Sequence, residues 1–333
     1  MSVSVIILAA GKGTRMRSPY PKVLHLLAGE PLVIHVVETV LPLPIKDIFV
    51  VVGFKSSLVE EALRGYAVKT ILQEKQLGTG DAVKKVRPFL GDLNKDVLVL
   101  CGDTPLLSTA TLSRLLAAHC REASTITILT ALVDDPYGYG RIIRNQEGYV
   151  AKIVEEKEAS PEEKRVREIN TGTYVFKASF LFEALEEITP DNVQGEYYLT
   201  DVVERAVKRN ERVFALQVSD PTEVIGINSQ EDLAQAEEIY QQRLRRKFMQ
   251  QGVSLICPET IYLERRVRLG AGTIVFPHTV LRGETLIGEQ CRIGSFSYLE
   301  DVVVGNGAEL QPGSILRQVK IPPGSVVQGR FWR

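Results

Sequence analysis

Cysteine is the first thing this chain is short of. Cys101, Cys120, Cys257 and Cys291 are the four in 333 residues, and none forms a Cys-x-x-Cys pair. That spacing suggests neither a zinc site nor a disulfide framework. An excess of one charge is also missing. Forty basic against 41 acidic residues leave a net charge of -1, which gives no reason to expect nucleic acid or an anionic membrane as a partner. No apolar run reaches the roughly 18 residues of a membrane span, and no basic leader precedes the first apolar run. The cytoplasm is therefore the expected location. A Gly-x-x-x-x-Gly-Lys-Ser/Thr loop is absent, and so is the third glycine of a dinucleotide fingerprint. What remains is a chain of 44% hydrophobic residues, long enough for two domains.

The stretch that organises it is VSVIILAAGKGTRMRSPYPKVLH, Val3 to His25. Val3 to Leu8 is short, apolar and β-branched enough for a buried strand. The Gly11–Arg15 loop follows, then Lys22 after a proline-bracketed segment. A glycine-rich loop can turn its N–H groups toward an anion, because no Cβ blocks the approach. Arg15 and Lys22 add the full charges that such a nest lacks. The position suits phosphate handling at the carboxyl end of a first strand, where open α/β sheets bind ligands.

Strand and helix patterns then alternate. A helix is expected over Pro31–Leu41 and strands over Asp47–Val52, Val68–Gln73, Asp96–Cys101 and Thr125–Leu132. That is the signature of a mostly parallel sheet. His25 and His35 read as helix-packing residues. Gln73, Gln76, Gly78, Thr79 and Gly80 precede a helix near Asp81. Their amides suit a base edge, and Thr79 or Asp81 could equally be a plain helix N-cap. Asp103 stands at the carboxyl tip of a buried strand, placed either to hold Mg²⁺ or to make a turn before Thr104-Pro105. Gly140 looks like a backbone approach point, and Glu155 and Asn170 read as strand-end residues able to hydrogen-bond a sugar. Each is unremarkable alone.

Taken together, LAAGKGTRM followed by PKVLHLLAGEPL resembles the signature of sugar-1-phosphate nucleotidyltransferases, in particular the bacterial N-acetylglucosamine-1-phosphate uridylyltransferases. The resemblance continues in order over residues 1–228. It implies UTP and N-acetylglucosamine 1-phosphate as substrates and Mg²⁺ as cofactor. Leu8, Ala9, Ala10, Gly11, Gln73, Gly78 and Thr79 would bind the nucleotide, and Gly140, Glu155 and Asn170 the sugar. Asp103 and Asn228 would hold the metal. QGEYYLTD, Gln194 to Asp201, matches a segment beside the sugar pocket. Relatives specific for glucose 1-phosphate or dTTP usually carry a Leu-Ala-Gly-Gly loop, so Ala10 and Pro21–His25 point to the amino-sugar branch.

Residues 229–251 read as an amphipathic linker helix with Leu233, Ala236, Tyr240 and Leu244 on one face. From Cys257 the period becomes six: Leu263, Leu269, Val275, Leu281, Ile287, Ile293 and Leu299. The phase slips to Val304, Leu310 and Leu316, then to Ile321 and Val327. This is the hexapeptide repeat of a left-handed parallel β-helix, roughly four coils over residues 252–333. The expected fold is thus α/β: a Rossmann-like nucleotidyltransferase domain, a linker helix and a short β-helix. The resemblance implies a homotrimer through that β-helix. It also implies no acetyltransferase activity, since His278 lies too early in the repeat to match the catalytic histidine of longer members.

For these substrates the nucleophile is already an anion, so no activated serine, cysteine or histidine is needed. The work is positioning and charge neutralisation. Arg15 would neutralise departing pyrophosphate and Lys22 would bridge the phosphates of both substrates. A non-catalytic scaffold would be expected to lose Arg15, Lys22, Asp103 or Asn228, and all four are present. A hexapeptide acyltransferase is disfavoured by the short repeat and the missing late histidine.

Overall fold

The computed structural model describes residues 3–328, so residues 1–2 and 329–333, at the outer ends of the expected domains, lie outside the described residues. The chain forms two compact units. One takes the chain up to His25 and from Pro31 to Asp232; the other takes Leu26–Glu30 and the described chain from Leu233 onward.

The first unit is built on β1 (Val3–Ala9), α1 (Leu32–Val40), β2 (Ile45–Val52), α2 (Ser56–Ala62), β3 (Lys69–Leu72) and α3 (Thr79–Lys84). It continues with β4 (Asp96–Cys101), α4 (Thr109–Arg121), β5 (Ile126–Leu132), β6 (Arg141–Arg144) and β7 (Val150–Val154). β8 (Glu168–Lys177), α5 (Ala178–Ala184), α6 (Asp201–Lys208) and β9 (Val213–Gln217) complete it. One nine-stranded sheet results, in the order β9-β5-β8-β4-β1-β2-β3, with β6 paired to β8 and β7 paired to β6. β1, β2, β3 and β4 are mutually parallel where they pair, whereas β8 runs antiparallel to both β4 and β5.

The apolar character of β1, interrupted only by the buried Ser4, follows from burial on both faces. Val5 and Ile7 pack in one cluster with α1, α2 and α4, and Ile6 packs in another with α3, α5 and α6. Each such side chain is worth about 1.5–3 kcal/mol over exposure. Pro31 stands at the N-cap of α1 rather than at its first helical position. His35 is buried in that helix. His25 is not in a helix: it caps a short 3-10 turn, Lys22–Leu24.

Register puts two loops side by side. Leu8 pairs with Cys101, and the Gly102 N–H donates to the Leu8 carbonyl at 2.9 Å. The glycine-rich loop after β1 and the Asp103 turn after β4 therefore leave the same edge of the sheet. On the far side of β4, the register of β8 against β5 breaks between Asn170 and Tyr174, where Gly172 takes φ +74°. Asn170, expected at a strand end, lies inside β8 at this irregularity, which bends the strand and re-aims its side chains.

The helix α7 (Gln230–Gln250) leads to the second unit, a parallel β-helix whose described residues form thirteen short strands in three sheets. Leu255, Val275, Ile293, Leu310 and Val327 stack in one sheet; Leu263, Leu281, Leu299 and Leu316 stack in a second. Leu269, Ile287, Val304 and Ile321 form the third. Cys257, expected as the first inward position, is instead exposed with φ +51°, and Leu255 takes its place. Of the face expected for α7, Ala236 and Leu244 are buried and Tyr240 packs against the core partly buried; Gln241 and Phe248 are buried too, outside the expected set. Gln241 is buried because it completes an edge: its amide donates to the Leu263 carbonyl at 2.7 Å and accepts from the Leu263 N–H at 3.0 Å. An uncovered edge would leave those groups unpaired.

Candidate active site

Two adjoining cavities open at the carboxyl ends of β1 and β4. The larger, about 420 Å³, is lined by Leu8, Ala9, Ala10 and Gly11 from the first loop, with Lys22, and by Gln73, Gly78 and Thr79 opposite. The smaller, about 200 Å³, is lined by Gly140, Glu155, Asn170, Thr200 and Asn228 among others. Leu8, Thr79, Cys101 and Asp103 line both. The residues expected to bind nucleotide thus face one cavity, and those expected to bind sugar face the other.

Between the cavities stands a charged cluster. Lys22 Nζ donates to Asp103 Oδ2 and to Asn228 Oδ1 at 3.0 Å. Arg15 Nη2 donates to the same Asn228 oxygen at 2.9 Å. Lys22 reaches this point because its stem lies over Gly13, where φ is +64° and a Cβ would stand 2.6 Å from the Lys22 Cβ. Only glycine serves there. Gly11 differs, since a Cβ on it would meet nothing within 4 Å. The protein's own packing leaves that room free beside the cavity.

The nucleotide side is assembled by contacts that no local pattern reveals. α3 starts from Gly78 with no side-chain cap, so neither Thr79 nor Asp81 is the N-cap. Thr79 Oγ accepts from the Leu199 N–H at 3.0 Å. Gln73 is buried, and its Nε2 donates to Asp81 Oδ2 at 2.8 Å and to the Gly78 carbonyl at 3.1 Å. Its amide nitrogen therefore holds the loop, which leaves its Oε1 as the group a base could use. Glu196, from the Gln194–Asp201 segment expected beside the sugar pocket, lines this cavity instead.

On the sugar side, the Asn170 N–H donates to the Gly140 carbonyl at 2.8 Å, and Thr200 Oγ donates to Glu155 Oε1 at 3.1 Å. Burial raises the Glu155 carboxyl above its ordinary value, against the opposing Thr200 hydrogen bond. Arg141, only 1% exposed, braces the Gly138–Gly140 turn. It donates to the Tyr139 carbonyl and to Glu156 Oε2 at 2.7 Å, and that carboxylate also accepts from the Gly138 N–H at 3.2 Å. Arg141 directly follows Gly140 and Glu156 directly follows Glu155, but nothing in the local sequence names either as the other's partner.

The donor set suits a hard divalent cation. Asp103 and Asn228 offer one carboxylate and one amide oxygen. Mg²⁺ characteristically takes one or two such groups and completes its shell with water and phosphate oxygens. Among the described residues no group of three or more His, Cys, Asp and Glu could hold a metal. Cys101 is close, but its thiol is pushed up to about 12 by burial and by Asp103 and stays protonated.

A nucleotidyl transferase family model matches residues 4–241. Proteins described as bifunctional protein GlmU match nearly the whole chain. That of Heliobacterium modesticaldum is 46% identical over 94% of this chain and 68% of its own length. That of Caldanaerobacter subterraneus is 46% identical over 96% and 70%, and that of Exiguobacterium sibiricum 45% over 98% and 72%. The chain belongs to the GlmU family of nucleotidyltransferases. In this GlmU-family chain the matched region takes in both cavities and the charged cluster between them.

Proposed function

We propose that this chain transfers UMP from UTP to N-acetylglucosamine 1-phosphate, giving UDP-N-acetylglucosamine and pyrophosphate. The observation that carries the proposal is the pair of cavities sharing Asp103, with Lys22, Arg15 and Asn228 at their junction. UTP occupies the larger cavity, its base against Gln73, Gly78 and Thr79 and its phosphates along Leu8–Gly11. The sugar occupies the smaller one, held by Gly140, Glu155 and Asn170. An oxygen of the sugar phosphate attacks the α-phosphorus of UTP, a new P–O bond forms, and the bond to the β-phosphate breaks with pyrophosphate leaving. Lys22 lies within reach of both phosphate groups and offsets their mutual repulsion. Arg15 neutralises charge on the departing pyrophosphate. The metal is Mg²⁺, held by Asp103 and Asn228, and when bound it supplies charge neutralisation and phosphate alignment.

The same reading places the reaction in the cytoplasm and the protein in a homotrimer through its β-helix. Supporting the first, no described helix is long and apolar enough to cross a membrane, and no disulfide joins any of the four cysteines, as a reducing compartment allows. Supporting the second, the β-helix leaves Phe296 66% exposed and stacked on His278; light scattering at working concentration gives the mass.

Pyrophosphate release from UTP with N-acetylglucosamine 1-phosphate, run beside glucose 1-phosphate and dTTP, tests the chemistry. Release confined to the first pair supports the reading; equal or faster release with another pair overturns the substrate assignment.

A further inference from the structure

Asp232 has no part in the chemistry above, yet it touches the site through one residue. It stands in the first turn of α7, three residues after Ser229. Ser229 Oγ accepts from the Asp232 N–H at 3.1 Å, and Asp232 Oδ2 accepts from the Ser229 N–H at 2.8 Å. This is a reciprocal capping box. A plain cap would end there. The same Oδ2 also accepts from the Asn228 N–H at 2.9 Å.

Asn228 is thereby fixed on every polar side. Its Nδ2 donates to the Gly226 carbonyl at 3.1 Å, which settles which end of the amide faces the cluster. Its Oδ1 then meets Lys22 and Arg15. The neighbouring Ile227 N–H donates to the Asp103 carbonyl at 2.9 Å, so the two oxygen donors are tied through one short backbone segment. An amide oxygen is a neutral donor, and its value to a hard cation depends on where it is held.

We infer that Asp232 is a positioning residue that holds Asn228 as a metal ligand. The inference rests on the proposed metal role of Asn228. Partners behind a ligand commonly carry 10–100-fold in metal affinity. Asp232→Ala should therefore raise the Mg²⁺ concentration for half-maximal pyrophosphate release by about tenfold, with kcat at saturating metal within about twofold. The Mn²⁺ dissociation constant, read by electron paramagnetic resonance with UTP present, should rise by the same factor. That readout needs no turnover. Asp232→Asn keeps an acceptor oxygen and should restore most of the affinity. Ser229→Ala removes the other half of the capping box and spares the Asn228 contact. It should lower the melting temperature much as Asp232→Ala does and leave the metal constants unchanged. Should Asp232→Ala not fold, Asp232→Glu displaces the carboxylate by one methylene and carries the same test.

Unchanged metal constants in Asp232→Ala, or an equal shift in Ser229→Ala, would overturn the inference. Asn228→Ala separates the two levels. If it shifts the metal constants and Asp232→Ala does not, the positioning role alone fails; if it shifts nothing, the metal reading fails with it.

Discussion

Both units of this protein are built largely on parallel strands, and one glycine from each, Gly270 and Gly11, shows two different settings for that residue. In the β-helix, a Cβ on Gly270 would lie 2.5 Å from the carbonyl carbon of Gly288 in the next coil. Backbone sits where the side chain would go, so glycine is a packing requirement. In the first unit, a Cβ on Gly11 would meet nothing within 4 Å, on a loop that lines the larger cavity. The strands differ in the same sense. Each short strand of the repeat mainly presents one aliphatic residue to a core, whereas β1 and β4 are buried on both faces and aim their carboxyl ends at a site. A repeat spends its regularity on stability, and an open sheet spends its edge on chemistry.

The sharpest break of that comparison removes a site charge without touching either core. Lys22→Ala should lower pyrophosphate release by about 10²–10³-fold, the scale of losing one preorganised electrostatic contact. Its melting temperature should stay close to that of the parent, because Lys22 supports no apolar cluster. Retained turnover would remove Lys22 from the mechanism.

Next comes the glycine exchange itself. Gly270→Ala should cost about 1–3 kcal/mol by overpacking and leave kcat intact, as denaturant unfolding and a rate assay on folded protein would show. Gly11→Ala should do the reverse, raising KM for UTP with unfolding unchanged. If Gly11→Ala destabilises the protein while KM holds, the contrast drawn between the two glycines collapses.

Smaller effects sharpen the sugar side. Glu156→Gln weakens the brace on the Gly138–Gly140 turn and removes one charge-assisted hydrogen bond, about 1.5–3 kcal/mol. The expected outcome is a roughly tenfold rise in KM for the sugar phosphate with KM for UTP unmoved. The smallest effect concerns pH. Asp201, in the first turn of α6, is raised from 3.8 to about 6 by burial first and Glu204 second. The folded protein thus holds this proton more tightly than the unfolded chain, so the stabilising contribution is full below pH 3.8 and is lost as pH rises to about 6. Asp201→Asn should gain melting temperature over the parent at pH 7 and little at pH 4. A gain independent of pH would assign the effect to packing.

Local periodicity made much of this legible. The six-residue repeat returned the inward positions of three sheets from Leu263 onward, because each coil reuses one pattern. It failed at Cys257, where the first coil departs from the repeat and Leu255 stacks instead. In the first unit the loop, the Asp103 turn and the alternating elements could be read from apolar runs and breakers. Asn170 could not be placed inside β8, since its strand break depends on pairing with β5, far off in sequence. Nor could Gln241 be seen as a buried residue of α7: its amide answers the Leu263 backbone, a partner that a helical pattern does not contain. Thr79, likewise, is engaged by Leu199, 120 residues away. Apart from Cys257, what the sequence withheld here is polar and depends on partners outside the local pattern.

The central claim is that the two cavities work as one site because they meet at Asp103. Asp103→Asn, assayed for pyrophosphate release with UTP and N-acetylglucosamine 1-phosphate across a Mg²⁺ titration, tests it most directly. The account predicts a loss of about 10²–10³-fold at ordinary Mg²⁺, with the melting temperature near that of the parent. Release at the parent's rate and metal dependence would contradict it.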